Sequence, residues 1–316
     1  MKKSLVILAA LVAILAATFA LSDRAKLQAL SAAMLIEETL ASMDKKFIIA
    51  DDHKIVYLER EAKNKNSETI ILLHGFTADK NNWPRFTRHI SDEFRVIAID
   101  WPAHGESTYL VGADYSLSNQ ATRLNTFMEN MGIGKAHLVG NSMGGAIAAI
   151  FASRYPSKVQ TLTLMNSGGA DNPNTESEIE AAMRQGTNPL LAETPEEFQH
   201  TFDVAMERPP FVPWPISAAI ANVAADRHAR FLAVFRQVHG GVTNRDYGYL
   251  KNIQAPTLIM WGDKDRILDV GNAQIFSAEL PKSETVIYEG IGHMPMLEVP
   301  AQSAGDIVRF IKSQRK

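Results

Sequence analysis

Gly140-Asn141-Ser142-Met143-Gly144 is the stretch of sequence that decides the fold. It has the pattern G-x-S-x-G, with an apolar run at residues 136–139 before it and a run of small residues at 145–152 after it. These flanking runs predict a strand, a sharp turn and a helix, an arrangement that projects a serine hydroxyl above the end of a sheet. The two glycines keep side chains out of the narrow space between strand and helix. In this context the sequence predicts that Ser142 is a nucleophile and not a serine in an ordinary glycine-rich turn.

Apolar runs alternate with helical patterns on both sides of this turn. Strands are predicted at residues 47–50, 54–60, 69–73, 95–99, 136–139, 161–165, 257–261 and 285–288. Helices are predicted at residues 81–91, 118–131, 145–152, 273–280 and 303–312. The first two strands suggest an antiparallel hairpin around Asp51-Asp52, whereas the later runs are apolar on both faces, as in buried parallel strands. This alternation indicates an α/β fold with a mostly parallel eight-stranded sheet and helices on both faces.

Residues 168–252 interrupt the alternation because they contain no clear strand. They carry helical patterns at residues 176–184, 195–207 and 216–238. A proline-rich link at residues 209–215 separates the last two. A helical insertion between two strands of one sheet is predicted to be a cap over the site, since loops at the carboxyl edge of such sheets carry function. The sequence is thus divided into a first core part (47–167), a cap (168–252) and a second core part (253–316).

Composition excludes several classes of function. The chain has 316 residues, is 46% hydrophobic and carries a formal net charge of -3, so it can bury a large core and has no basic excess for nucleic acid. It has no cysteine, which excludes disulfides, cysteine metal sites and a thiol nucleophile. No HExxH and no phosphate-binding GxxxxGK motif is present, so we expect neither a metal nor a nucleotide cofactor.

The N-terminus resembles an export segment. Lys2 and Lys3 precede an apolar run from residue 5 to residue 21 that only Thr18 interrupts. A basic start followed by such a run is typical of a signal peptide, but the run is also near the minimum length for crossing a bilayer. We therefore expect residues 1–22 to be either a cleaved signal peptide or a membrane anchor. The body would then be periplasmic or extracellular. A buried N-terminal helix is disfavoured, because soluble helices are rarely apolar all round.

Residues 23–46 have the pattern of an amphipathic helix. Leu27, Leu30 and Met34 stand at helical spacing in its first half. This segment could be a stalk, a helix on a membrane surface, or a helix packed on the body of the protein.

A serine nucleophile needs a base, and the base needs an orienting acid. On a turn of this kind the three follow the order serine, acid, histidine. His293 lies in the loop after the last predicted strand, whereas the other eight histidines precede Ser142 or fall in the predicted cap. The acid should follow the strand at 257–261. There Asp265 is favoured over Asp263, which is better placed for an ordinary turn, with Asp171 as a distant third candidate.

A tetrahedral intermediate also needs two amide donors. The N–H of Met143, next to the serine, is one candidate. The N–H of Phe76, in the loop after the strand at 69–73, is the other. His74 in the same loop is expected to tie the loop down and not to act as a base.

Two large apolar residues of the proline-rich link, Phe211 and Trp214, are candidates for substrate binding. An exposed apolar patch near a site would suit an acyl chain or a lipid surface. The alternative is that both side chains simply pack on the body of the protein.

With these residues in place, the sequence resembles the α/β-hydrolase superfamily from about residue 47 to its end. The matching motifs occur in the superfamily's order at residues 74–76, 100–107, 140–145, 261–265 and 292–293. More narrowly, the sequence is similar to bacterial family V lipases of the Moraxella and Psychrobacter type. That similarity is carried by residues 140–147, 188–191, 208–213, 261–265 and 293–296, and by the export segment.

The resemblance implies hydrolysis of carboxylesters and triacylglycerols with Ser142, Asp265 and His293 as the catalytic triad. Ala103 stands where relatives usually have glycine, which concerns only local turn geometry. Because carbon–carbon bond hydrolases that cleave ring-fission dienones share the same serine turn, they are the alternative enzyme class. A non-catalytic binding protein on this fold is a further alternative, because a fold alone does not establish activity.

Overall fold

The computed structural model describes residues 22–64, 67–240 and 247–315, with positions 5, 7, 8, 11, 12, 15 and 17 before them. Its eight-stranded sheet has the order β1-β2-β4-β3-β5-β6-β7-β8. The strands are β1 (Asp44–Ala50), β2 (His53–Arg60), β3 (Thr69–Leu73), β4 (Arg95–Ile99), β5 (Ala136–Asn141), β6 (Val159–Met165), β7 (Thr257–Gly262) and β8 (Ser283–Tyr288). Strand β2 is antiparallel to both neighbours, and all other neighbouring pairs are parallel. The predicted fold class is confirmed.

The helices lie between and around these strands. They are α1 (Asp23–Leu40), α2 (Pro84–Thr87), α3 (Leu117–Asn130), α4 (Met143–Arg154), α5 (Glu178–Arg184), α6 (Pro195–Ala205), α7 (Ile216–Asp226), α8 (His228–Gly240), α9 (Asn272–Glu279), α10 (Pro295–Glu298) and α11 (Pro300–Ser313). Helices α5 to α8 all fall between β6 and β7. We call residues 168–252 the inserted segment.

The sheet is buried on both faces, as its continuous apolar runs require. In β3, Ile71 and Leu73 pack in one core cluster with side chains of α3 and α4. Ile70 and Leu72, which point to the opposite face, pack in a second cluster with side chains of α2 and α11. Strand β3 therefore lies between the two core clusters, in the middle of the sheet.

Several predicted boundaries were wrong for identifiable reasons. The helix predicted at 23–46 ends at Leu40, because Ser42 turns the chain with a φ of 55° and residues 44–46 pair with β2. The region 81–91 forms only a 3-10 turn (Lys80–Asn82) and the short α2, since Pro84 cannot donate the hydrogen bond that a continuous helix needs. The pattern at 216–238 forms two helices that break at Arg227.

No helix in the described ranges combines the length and the apolar character needed to cross a membrane. Most of the predicted export segment, residues 1–22, lies outside the described residues. Its function therefore remains a sequence-based prediction.

Candidate active site

Ser142 occupies a strained turn between β5 and α4. Its φ and ψ are 54° and -121°, in a region that residues other than glycine rarely adopt. The glycines on either side leave no room for a side chain: a Cβ on Gly140 would lie 2.4 Å from the carbonyl oxygen of Gly144, and one on Gly144 would lie 2.3 Å from that of Leu73. The predicted strand, turn and helix are all present, and their close approach fixes the position of the serine.

Asp265 and His293 are in direct contact. Asp265 Oδ2 lies 2.7 Å from His293 Nδ1, although the residues are 28 positions apart. The other carboxylate oxygen, Oδ1, accepts the N–H groups of Ile267 (2.8 Å) and Leu268 (3.0 Å), and Oδ2 also accepts the side-chain amide of Asn166 (2.8 Å). These bonds fix the carboxylate in one orientation. Because it occupies Nδ1, the second nitrogen of His293 is left for other chemistry.

The two alternative acids have different surroundings. Asp263 Oδ1 accepts the N–H of Gly290 at 2.6 Å, so this carboxylate ties the loop after β7 to the turn after β8. Asp171 follows β6, and its backbone N–H donates to the hydroxyl of Tyr247. Of the three carboxylates, Asp265 is the one that meets His293.

The loop that carries His293 is bonded to the turn that carries Ser142. The side-chain amide of Asn141, the residue before the serine, donates to the carbonyl oxygen of His293 at 3.0 Å. Asn166, directly after β6, donates to the carbonyl of Gly292 as well as to Asp265. Sequence reasoning missed both asparagines. Their positions at the carboxyl ends of β5 and β6 were the available signal.

The two segments that carry the predicted amide donors both lie beside Ser142. Met143 is the first residue of α4, and its N–H therefore has no partner inside the helix. On the other side, a Cβ on Gly75 would lie 3.5 Å from Ser142 Oγ, so the loop that carries Phe76 passes beside the hydroxyl. The ring of Phe76 packs against Phe231 of α8, with 5.7 Å between ring centroids.

His74 fixes this loop and is held neutral. Its Nδ1 donates to the carbonyl of Gly75 at 2.7 Å, and its Nε2 accepts the N–H of Trp101 at 3.1 Å. Burial lowers the pKa of His74 to about 4, since a charged ring would lose its hydration. The neighbouring His104 is buried too, which puts its pKa well below the usual value.

A buried ion pair fixes the end of the loop that follows β3. Lys80 Nζ lies 3.1 Å from Asp100 Oδ2, and Oδ1 of that carboxylate accepts the Lys80 N–H at 2.7 Å. Asp100 also accepts the N–H of Glu106 at 2.8 Å. The turn between them contains Ala103, whose φ of 68° is in the region that favours glycine. Asp100 thus has a structural role that is consistent with its burial.

Ser142 and His293 open into a cavity of about 340 Å³ with a mostly apolar wall. The wall includes side chains from both the core and the inserted segment: Phe76, Leu190, Phe202, Met206, Ile216, Ile220, Val223, Ile267 and Leu297. Phe211 also lines the cavity, yet 85% of it is exposed, which places it at the rim. Trp214 is half exposed and is not part of this wall.

Helix α1 forms a further part of the wall. Leu30, Ala33 and Met34 lie on one face of α1 and border the cavity. Asp23, at the start of α1, accepts the side-chain amide of Asn222 in α7 at 3.1 Å. The helix is therefore packed on the body, one of the three possibilities that its pattern allowed. Leu27, Leu35 and Ile36 of the same helix remain exposed, and the periodicity alone did not reveal which apolar residues face the cavity.

Across the described ranges, no group of three or more His, Asp or Glu side chains is arranged to hold a metal ion.

Comparison with known proteins identifies the family to which this chain belongs. The sequence matches the α/β-hydrolase fold family over residues 68–203. It is 30% identical to Lipase 1 of Psychrobacter immobilis over 267 residues, which are 84% of this chain and 83% of the lipase. It is 29% identical to Lipase 3 of Moraxella sp. (strain TA144), over 86% of this chain and 85% of that lipase. The chain belongs to the α/β-hydrolase family.

Within that family the chain is similar to the bacterial lipases of Psychrobacter and Moraxella, as its motifs indicated. The fold extends this similarity to a solved structure described as a membrane phospholipase A, a bacterial virulence factor. The two share 34% sequence identity and superpose with a TM-score of 0.89 over the full length of both chains.

Proposed function

We propose that this protein is a serine carboxylester hydrolase, a lipase or esterase that cleaves acylglycerols or other lipid-like esters. The observation that carries the proposal is the hydrogen bond between Asp265 and His293, together with the position of His293 and the strained Ser142 on the wall of one apolar cavity. The lipase names of the relatives support the same activity.

In the proposed mechanism, Ser142 Oγ attacks the ester carbonyl carbon while His293 Nε2 removes the hydroxyl proton. Asp265 keeps the imidazole oriented through Nδ1 and stabilises its charged form. The amides of Phe76 and Met143 stabilise the oxyanion of the tetrahedral intermediate. When the intermediate collapses, His293 gives the proton to the leaving alcohol and an acyl-enzyme on Ser142 remains. Water, deprotonated by His293, then releases the acid by the same steps.

The cavity supports a substrate with a hydrocarbon chain. Its wall is mostly apolar, and each methylene buried there contributes about 0.8 kcal/mol. Phe211 stands at the rim, where it could contact an acyl chain as the chain enters. We assign no such contact to Trp214, because its side chain does not line the cavity. The inserted segment supplies a large share of the wall and thus functions as the cap of the proposed enzyme.

Two measurements test the proposed activity. A fluorophosphonate should label Ser142 covalently, and Ser142→Ala should abolish the labelling. A hydrolysis profile over p-nitrophenyl esters of rising chain length and an emulsified triglyceride then identifies the substrate class. Absence of labelling would favour a non-catalytic binding protein. Cleavage of a ring-fission dienone, with no ester hydrolysis, would favour the carbon–carbon hydrolase.

The proposed location is outside the cytoplasm, with residues 1–22 as an export signal or a membrane anchor. The basic start and apolar run support this, as does the similarity to a protein described as a membrane phospholipase A. Deleting residues 1–22 should give a soluble protein that still hydrolyses a water-soluble ester, because the proposed triad and the cavity wall lie in later elements. Loss of folding on this deletion would show that the segment is part of the core.

A further inference from the structure

Glu298, the last residue of α10, accepts hydrogen bonds from two separate segments of backbone. Its Oε1 accepts the N–H of Gly292 at 3.0 Å and that of Met294 at 3.3 Å. Its Oε2 accepts the N–H of Glu207 at 2.9 Å and that of Arg208 at 2.8 Å. One carboxylate thus satisfies four backbone donors. Hydrogen bonds to an ionised acceptor are about twice as strong as neutral ones.

Both segments belong to the site. Gly292 and Met294 are the two neighbours of His293, so Glu298 holds the histidine from either side. Glu207 and Arg208 follow α6 and lead into Phe211 at the rim of the cavity. The N–H of His293 itself donates to the carbonyl of Ala205, the last residue of α6, at 2.8 Å. The histidine loop therefore donates a hydrogen bond to the end of α6, and the residues after α6 donate hydrogen bonds to Glu298.

Capping of α10 does not account for this arrangement. Helix α10 spans four residues, and two of the four donors, Glu207 and Arg208, lie in the inserted segment about ninety positions away. The Arg208 side chain also contacts the histidine loop: a Cβ on Gly290 would stand 2.8 Å from its Nη2. The carboxylate lies where two parts of the chain meet, and its bonds run to both.

We propose that Glu298 is a positioning residue for ester hydrolysis, an inference that depends on the proposed function. It contacts none of the reacting groups. It acts by holding the His293 loop against the chain that forms the cavity rim, which keeps the imidazole in place relative to Ser142. Displacement of a catalytic group by about 1 Å can reduce the rate by roughly a hundredfold, so a clamp of this kind has a measurable effect.

The test compares Glu298→Ala and Glu298→Gln with the parent protein and with Glu289→Gln, which changes an exposed glutamate in the loop that carries His293. Glu298→Ala should lower kcat for a p-nitrophenyl acetate by about tenfold to a hundredfold, with little change in KM. Glu298→Gln should fall between it and the parent, because an amide offers one acceptor oxygen where the carboxylate offers two. The rate of fluorophosphonate labelling should decrease in parallel with kcat, and Glu289→Gln should match the parent.

The final extent of labelling counts the folded active sites, so kcat is expressed per labelled site. If either Glu298 variant keeps the parental kcat per site while its Tm decreases, the residue is structural only and the proposal is overturned. If Glu298→Ala does not fold, Glu298→Gln decides the test alone. A parent protein that hydrolyses no ester and takes no label would refute the proposed function. An active parent with unaffected variants would refute only the role of Glu298.

A double-mutant cycle tests the connection to the rim. Phe211→Ala and Glu298→Gln should have non-additive effects on kcat/KM for a long-chain ester, because residues in one network couple. Additive effects would show that the histidine loop and the rim are not energetically coupled, and would overturn that part of the proposal.

Discussion

The carboxyl edge of the sheet and the inserted segment contribute to the same cavity, but their side chains are held differently. At the sheet edge, Asp265 accepts two backbone amides and a side-chain amide, and both it and His293 are buried. In the inserted segment, Phe211 is almost fully exposed at the rim. The two residues proposed to carry out the chemistry are fixed by hydrogen bonds, whereas Phe211, which is proposed to contact the substrate, has little packing around its side chain. The sheet edge should therefore control turnover, and the segment should control substrate preference.

The largest effect should come from the proposed triad. Ser142→Ala and His293→Ala should each lower kcat by orders of magnitude, because nucleophile and base act as one unit. The double variant should be little worse than Ser142→Ala alone. Steady-state kinetics on a water-soluble ester measures all three. Independent, multiplying losses would show that the two residues do not act together.

A pair of neighbouring carboxylates tests the assignment of the acid. Asp265→Asn should reduce kcat strongly, since it removes the acceptor that orients His293 Nδ1. Asp263→Asn should leave kcat close to the parental value and lower Tm modestly, because that carboxylate bonds the N–H of Gly290. The reverse result, with Asp263→Asn inactive and Asp265→Asn active, would show that Asp263 and not Asp265 is the acid.

Acid should destabilise the core through buried histidines. Burial lowers the pKa of both His74 and His137 to about 4, below the usual value of 6.5. The unfolded state therefore takes up these protons first as the pH falls. These two histidines leave the free energy of unfolding unchanged above pH 6.5. Below that, each lowers it by about 1.4 kcal/mol per pH unit until the pH approaches 4.

His137 is the residue to change, because it does not line the cavity and bonds to Thr161 Oγ1 at 2.9 Å, whereas His74 fixes the loop beside Ser142. Urea unfolding measures the free energy of unfolding of both proteins between pH 6.5 and pH 4. As the pH falls, this free energy should decrease less in His137→Gln than in the parent. An equal decrease in the two proteins would show that His137 does not contribute to the acid sensitivity.

The smallest effect should come from the rim. Phe211→Ala should lower kcat/KM for an octanoate ester severalfold more than for acetate, because a longer chain loses more apolar contact. Trp214→Ala is the matched control, since Trp214 belongs to the same link but does not line the cavity. Equal losses on both esters, with a lower Tm, would assign Phe211 to packing.

Strands were predicted more accurately than helices. The bounds of β3 and β4 agree with the apolar runs at 69–73 and 95–99, because a strand buried on both faces needs an unbroken apolar sequence. The pattern at 216–238 gave no sign of the break at Arg227, where the side chain donates to the carbonyl of Gly105. That contact joins residues 122 positions apart, and helical periodicity carries no information about it.

The sequence by itself determined the fold class, the strained turn at Ser142 and the histidine that follows the last strand. Each depends on local patterns, such as glycines beside a serine, apolar runs and the order of residues along the chain. Only the tertiary structure decided which carboxylate meets His293, that Asn141 holds a carbonyl 152 positions away, and that α1 borders the cavity. The physical reason is that these features are contacts between distant segments, and their geometry exists only once the sheet has brought the segments together.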